Sequence, residues 1–217
     1  MTITNYQSKY LAHELTKRCA SNSVEKLAAA MAGAQVDLNP HQVDAALFAF
    51  QSPLSKGAIL ADEVGLGKTI EAGLVISQKW AERKRRILII TPSNLRKQWH
   101  QEMSEKFFLP CEILESRSYN AAIKQGNYRP FEIKADAIVI CSYQFARNKA
   151  GDVHSTPWDL VVIDEAHRLR NVYKPTNIIA NVLKGALQER HKLLLTATPL
   201  QNSLLELFGL VSFIDEH

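Results

Sequence analysis

ILADEVGLGKTIEAG, residues 59–73, holds the residue types that grip a polyphosphate. Gly65 and Gly67 supply backbone freedom and let main-chain N–H groups approach a phosphate closely. Lys68 is placed to reach β- and γ-phosphate oxygens, and Thr69 to put its hydroxyl on Mg2+. Leu66 and Ile70 flank the Gly-Lys-Thr run, where a helix N-terminus would turn its positive end toward the anion. The pattern G-x-x-x-x-G-K-[ST] has one departure, Asp62 in place of the first glycine. That position only opens the turn out of the preceding strand, so the grip survives. VVIDEAH, residues 161–167, offers the complementary chemistry. Asp164 is suited to hold Mg2+ through water, and Glu165 to orient and deprotonate an attacking water. An acidic helix start would also accommodate Asp-Glu, but it leaves the neighbouring phosphate loop without a metal ligand. Lys68, Asp164 and Glu165 are therefore the candidate catalytic residues, Thr69 and Asp164 the candidate metal ligands, and ATP with Mg2+ the implied cofactor. His167, two residues past the base, suits a coupling role.

Such residues need strands that end side by side. Five apolar runs qualify: GAILA (57–61), RILIIT (86–91), DAIVIC (136–141), DLVVID (159–164) and KLLLTA (192–197). Each is nearly continuous rather than alternating, as strands buried on both faces of a parallel sheet are. CEILE (111–115) is a further candidate strand. Helical stretches lie between them, for example 94–107, where Leu95, Trp99 and Met103 recur every four residues. The alternation predicts an α/β fold with a mostly parallel sheet flanked by helices. Ligands of such sheets bind beyond the carboxyl ends of the strands, and every one of the five runs leads into polar residues there. Thr196 and Thr198 in TATP are open to two readings, coupling residues or turn formers. Trp80, Trp99 and Trp158 read as packing residues, and ERKRR (82–86) as a solvated helix end.

Residues 1 to about 33 read as two short helices, and a boundary near residue 35 separates this extension from the lobe at 36–217. The chain has 217 residues, 46% hydrophobic and 22% charged, with a net charge of +4. This balance permits a nucleic-acid partner without indicating one. Three scattered cysteines suggest reduced thiols rather than a disulfide framework or zinc site. No apolar run is long enough to span a bilayer and the N-terminus lacks a signal-like apolar stretch, so a cytoplasmic, intracellular protein is expected.

Taken in order, these motifs resemble those of superfamily-two helicase-like ATPases, and among them the Swi/Snf group, over about residues 37–210. LNPHQ (38–42) is similar to the Q motif, which implies Gln42 against the adenine. ADEVGLGKT resembles motif I, in which Asp-Glu commonly precedes the loop. TPSNLRKQWHQE (91–102) and CSYQ (141–144) are similar to motifs Ia and Ib, DEAHRLRN (164–171) to motif II and LLLTATPLQN (193–202) to motif III. Ala197 replaces a glycine common in the group. The loop sequence resembles the bacterial RNA-polymerase-associated branch, and TATPLQN the remodeller side. The resemblance implies a RecA-like first lobe of a translocase on duplex DNA, with Arg96, Ser142, Tyr143, Gln201 and Asn202 toward the nucleic acid. It also implies a second lobe, absent here, that supplies motifs IV–VI and an arginine finger. This chain alone is expected to bind nucleotide and hydrolyse it poorly. A nucleotide-switched docking module for a transcription or defence complex is the alternative, and a small-molecule kinase ranks last.

Overall fold

The computed structural model describes residues 9, 34–35, 39–54, 56–62, 67–132, 137–199 and 204–215. The expected helical pair at 1–33, apart from residue 9, lies outside them, as do Gly65, Leu66, Gln201 and Asn202. The first described helix, α1 (Pro40–Gln51), starts with proline at its first position, where no N–H is needed. Asn39 caps it, and Gln42 Oε1 accepts from Asn39 N at 3.2 Å, the reciprocal half of a capping box.

Six strands follow in alternation with helices: β1 (Gly57–Leu60), α2 (Lys68–Ala81), β2 (Ile87–Thr91), α3 (Arg96–Lys106), β3 (Cys111–Ile113), α4 (Ser116–Lys124), β4 (Ile138–Ser142), α5 (Tyr143–Asn148), α6 (Ala150–Ser155), β5 (Leu160–Ile163), α7 (Ile178–Leu187), β6 (Lys192–Leu195) and α8 (Leu204–Ile214). They pair in the order β1-β6-β5-β2-β4-β3, every pair parallel. All five apolar runs and the further candidate at 111–115 coincide with one of these strands, β4 extending one residue past its run to Ser142.

Every residue of β2, β4, β5 and β6 is buried, which is why those runs do not alternate. Ile87, Ile89, Ile138, Ile140, Leu160 and Val162 face one core, packed by Leu74, Ile76, Trp99 and Met103 of α2 and α3. Leu88, Ile90, Val139, Cys141, Val161 and Ile163 face the other, with Tyr143, Phe145, Trp158, Leu183 and Phe213. Full burial of each such aliphatic side chain contributes about 1.5–3 kcal/mol. Gly73 lets α2 meet α3's end, because a Cβ there would overlap the Phe107 ring. ERKRR does end α2: Glu82 caps it and Arg83 turns the chain with φ 63°. No helix among the described residues is long and apolar enough to cross a membrane.

Candidate active site

The cleft lies beyond the carboxyl ends of β1, β2 and β5. It encloses about 360 Å³ between Gly67–Ile70 on one side and Trp99, Asp164 and Glu165 on the other. Gly67 opens α2 in the left-handed region, with φ 91°. Only glycine fits, since a Cβ would also overlap the Gln42 side-chain amide. Gln42 is buried, and its amide sits against the last glycine of the loop. Lys68 Nζ donates to the Asp62 carbonyl at 2.8 Å. Thr69 and Ile70 follow in the first helical turn, with Thr69 lining the cleft beside Lys68.

Across the cleft, Asp164 is held by three donors. Its Oδ2 accepts from Thr91 Oγ1 at 3.0 Å and from Trp99 Nε1 at 2.8 Å. Its Oδ1 accepts from Glu165 N at 2.9 Å. A carboxylate has about four acceptor positions, so little rotational freedom remains and one position is left for a water on a cation. The backbone is fixed too: Asp164 N donates to Ile90 O at 2.9 Å, and Tyr143 Oη donates to Asp164 O at 2.6 Å. Burial first, and then the carboxylate of Asp164, holds the Tyr143 phenol well above its ordinary pKa, so it remains a donor.

Glu165 turns the chain with φ 53° and ψ 46°, a left-handed conformation that costs a non-glycine residue energy and clusters at functional sites. His167 Nδ1 lies 3.0 Å from Glu165 Oε2, in ion-pair contact but not aligned as a hydrogen bond. Burial lowers the His167 pKa, Glu165 opposes, and Arg170 and Arg168 add to the lowering. Thr196 is fully buried. Its N–H donates to Leu60 O at 3.0 Å, carrying the β1–β6 ladder past the strand end, and its Oγ1 accepts from Thr198 N at 3.1 Å. The TATP turn is thus tied to the strand that leads into the phosphate loop.

Two of the residues expected toward nucleic acid have buried side chains. Ser142 and Tyr143 are only 8% and 2% exposed. Ser142 Oγ caps α5, accepting from Phe145 N at 3.2 Å, and Tyr143 is committed to Asp164. Neither side chain faces outward. Arg96 does reach the surface, where it pairs with Glu115 at 3.2 Å and donates to Ser93 O at 3.1 Å. Two residues of the Asp164 web were missed. Thr91 was visible as the polar end of a strand. Trp99 was read as packing because its spacing along α3 is that of a core residue, and periodicity says nothing of where an indole N–H points.

Glu71, in the first turn of α2, is fully buried, and neither of its oxygens has a hydrogen-bond donor. Burial first, and then the adjacent Asp62, push its carboxyl up to about 8, with Lys68 opposing. Because the folded state holds that proton longer than the unfolded chain, stability falls as pH rises from 4.5 toward 8.

The indole bond gives a first expected result. Trp99→Phe keeps the ring in the core and removes one donor from Asp164. A hydrogen bond to a charged group contributes about 1.5–3 kcal/mol, so Mg-ATP should bind roughly 10–150-fold more weakly. Affinity for ATP without metal should not change. Equal effects with and without Mg2+, measured by calorimetry, would show that the indole supports the fold rather than the metal ligand.

The SNF2-related domain model matches residues 6–217 of this chain. The uncharacterized ATP-dependent helicase YqhH of Bacillus subtilis (strain 168) is 37% identical over 214 residues, 97% of this chain and 35% of that protein. RNA polymerase-associated protein RapA of Serratia proteamaculans (strain 568) is 38% identical over 184 residues, 80% of this chain and 18% of that protein. The chain therefore spans about a third of the first of these relatives and less of the second. The SWI2/SNF2 ATPase core of Sulfolobus solfataricus, solved in complex with dsDNA, matches with a TM-score of 0.66 at 24% identity. The match covers 84% of this chain and 36% of that one. That likeness establishes a RecA-like fold.

Proposed function

Because this chain belongs to the SNF2-related domain family, we propose that it is the ATP-binding lobe of an intracellular motor that couples ATP hydrolysis to movement on duplex DNA. One observation carries the reading: a carboxylate fixed by three donors, Asp164, faces Lys68 and Thr69 across a cleft of nucleotide size. The donor set fits a Mg-nucleotide. Gly65, Leu66, Gly67 and the α2 N-terminus would present main-chain N–H groups to phosphate, Thr69 and Asp164 would hold Mg2+, and Gln42 would bound the adenine side. Bound Mg-ATP supplies the phosphoanhydride that is cleaved. Lys68 exchanges the Asp62 carbonyl for phosphate oxygens. Glu165 orients a water and takes its proton, and His167, 3.0 Å from that carboxylate, couples it to the rest of the lobe. Thr196 and Thr198 pass the state of the loop to the segment beyond β6. Arg96, Gln201 and Asn202 are proposed to meet DNA phosphates, Arg96 by exchanging Glu115 for a phosphate, so binding should weaken steeply with salt. Residues 1–35 are proposed as an accessory extension and 36–217 as the lobe; the family match runs through both.

The test is ATP hydrolysis by the native protein with no nucleic acid, single-stranded DNA, duplex DNA or RNA. Stimulation by duplex DNA that is lost in Lys68→Ala is expected. Robust hydrolysis indifferent to all four conditions would remove the translocase reading. A second reading, docking on a protein, is favoured by α8, whose Leu204, Leu205 and Phe208 are 75%, 59% and 63% exposed. The name of RapA points to RNA polymerase as the class of partner to try.

A further inference from the structure

Three elements bring one more ligand set together behind the phosphate loop. His41 stands in the first turn of α1, Asp62 two residues past β1, and Glu71 in the first turn of α2. One donor atom from each lies within 4.8 Å of the other two. Glu71 is fully buried among them and has no hydrogen-bond donor on either oxygen. Asp62 is half-buried and His41 exposed, and two acids held this close repel unless a cation or a proton lies between them.

We propose that His41, Asp62 and Glu71 form a second divalent-cation site, separate from the nucleotide's Mg2+, that takes a transition-metal ion of the Zn2+ class. One imidazole and two carboxylates, with room left for water, is a donor set that suits Zn2+ better than Mg2+ or Ca2+, which favour all-oxygen shells. Zn2+ bonds such donors at about 2.0–2.2 Å, so two of them stand at most ~4.4 Å apart and side-chain adjustments of about half an ångström complete the site. The ion would staple α1 and α2 to the start of the loop. Asp62 is also the residue whose carbonyl takes the Lys68 ammonium. Zinc on its carboxylate therefore holds the loop in its nucleotide-free form and opposes Mg-ATP. This effect rests on the nucleotide reading above, whereas binding of the ion does not.

The experiment is equilibrium dialysis of the chain against Zn2+ without nucleotide, followed by Mg-ATP titrations with and without Zn2+. One Zn2+ per chain is expected. Glu71→Gln and His41→Asn should each weaken it by at least the ~10–100-fold that loss of an outer hydrogen-bond partner costs a metal site. Asp164→Asn should leave it in place. Thermal melting verifies that each variant folds, and His41→Asn at its exposed position decides if Glu71→Gln does not. Zinc that binds equally to both variants, or fails to bind the wild type, overturns the site and leaves a shared proton between the acids. Zinc that binds as expected but leaves Mg-ATP affinity unchanged overturns the coupling alone. A chain that binds zinc but no nucleotide upholds the site while sinking the nucleotide reading.

Discussion

Residues 1–217 by themselves should bind Mg-ATP and turn it over far more slowly than once per second. The cleft has the fixed carboxylate proposed to hold Mg2+, the lysine proposed for the phosphates and the proposed base, but among the described residues none that lines it is an arginine. As negative charge spreads over the transferred phosphoryl oxygens, a cationic fork directed at them contributes about 10³–10⁵ in rate. Lys68, in its proposed role, would stabilise bound nucleotide and transition state alike, so it would not replace that contribution. The measurement is phosphate release at saturating Mg-ATP, with Lys68→Ala as the blank. Turnover of several per second that depends on Lys68 would show that the chain completes its own transition-state site, and the proposed need for a second lobe would fall.

Glu165→Gln should separate binding from chemistry. The amide has nearly the shape of the carboxylate and leaves the Asp164 web intact, because Asp164 accepts from the backbone N–H of residue 165. What is lost is the proton acceptor. General-base catalysis is typically responsible for about 10²–10⁴ in rate, so hydrolysis should drop by that factor, basal or DNA-stimulated, while the Kd for Mg-ATP stays within about threefold. A comparable loss of affinity would mean that Glu165 serves the metal rather than the water. Unchanged hydrolysis would move the base elsewhere, with His167 the neighbour to test next.

The two outcomes bear on residues that were read with different ease. The strands were legible because burial on both faces leaves an unbroken apolar run such as ILII at 87–90, and the polar residue that ends each run marks the ligand edge. At the start of α2 Gly67 was legible, because its left-handed backbone and the Gln42 amide against it admit only glycine. Side-chain direction was not. Ser142 and Tyr143 follow a strand end and were expected to face a nucleic acid by motif position alone, but capping of α5 and the reach of a phenol to the Asp164 carbonyl turn them inward. Trp99 was placed correctly in the core, and only the packing of α3 against the sheet brings its N–H to a carboxylate. Glu71 sits in a helical first turn, where an acid is ordinarily solvated and welcome; its burial depends on α1, which meets it through the fold and not through sequence.

The strand order also sets a timetable for synthesis. Among the described strands β1 leaves the ribosome first, yet its partner in the sheet is β6, which is the last of them to emerge. For more than a hundred residues of translation the strand that carries the phosphate loop has no neighbour to pair with. The loop is therefore among the last features to acquire its native geometry, and nascent chains cannot engage nucleotide early. Closing so long a connection is slow, and an unpaired apolar strand is a target for chaperones or for other chains. A chain that ends before Lys192 lacks the strand that joins β1 to β5.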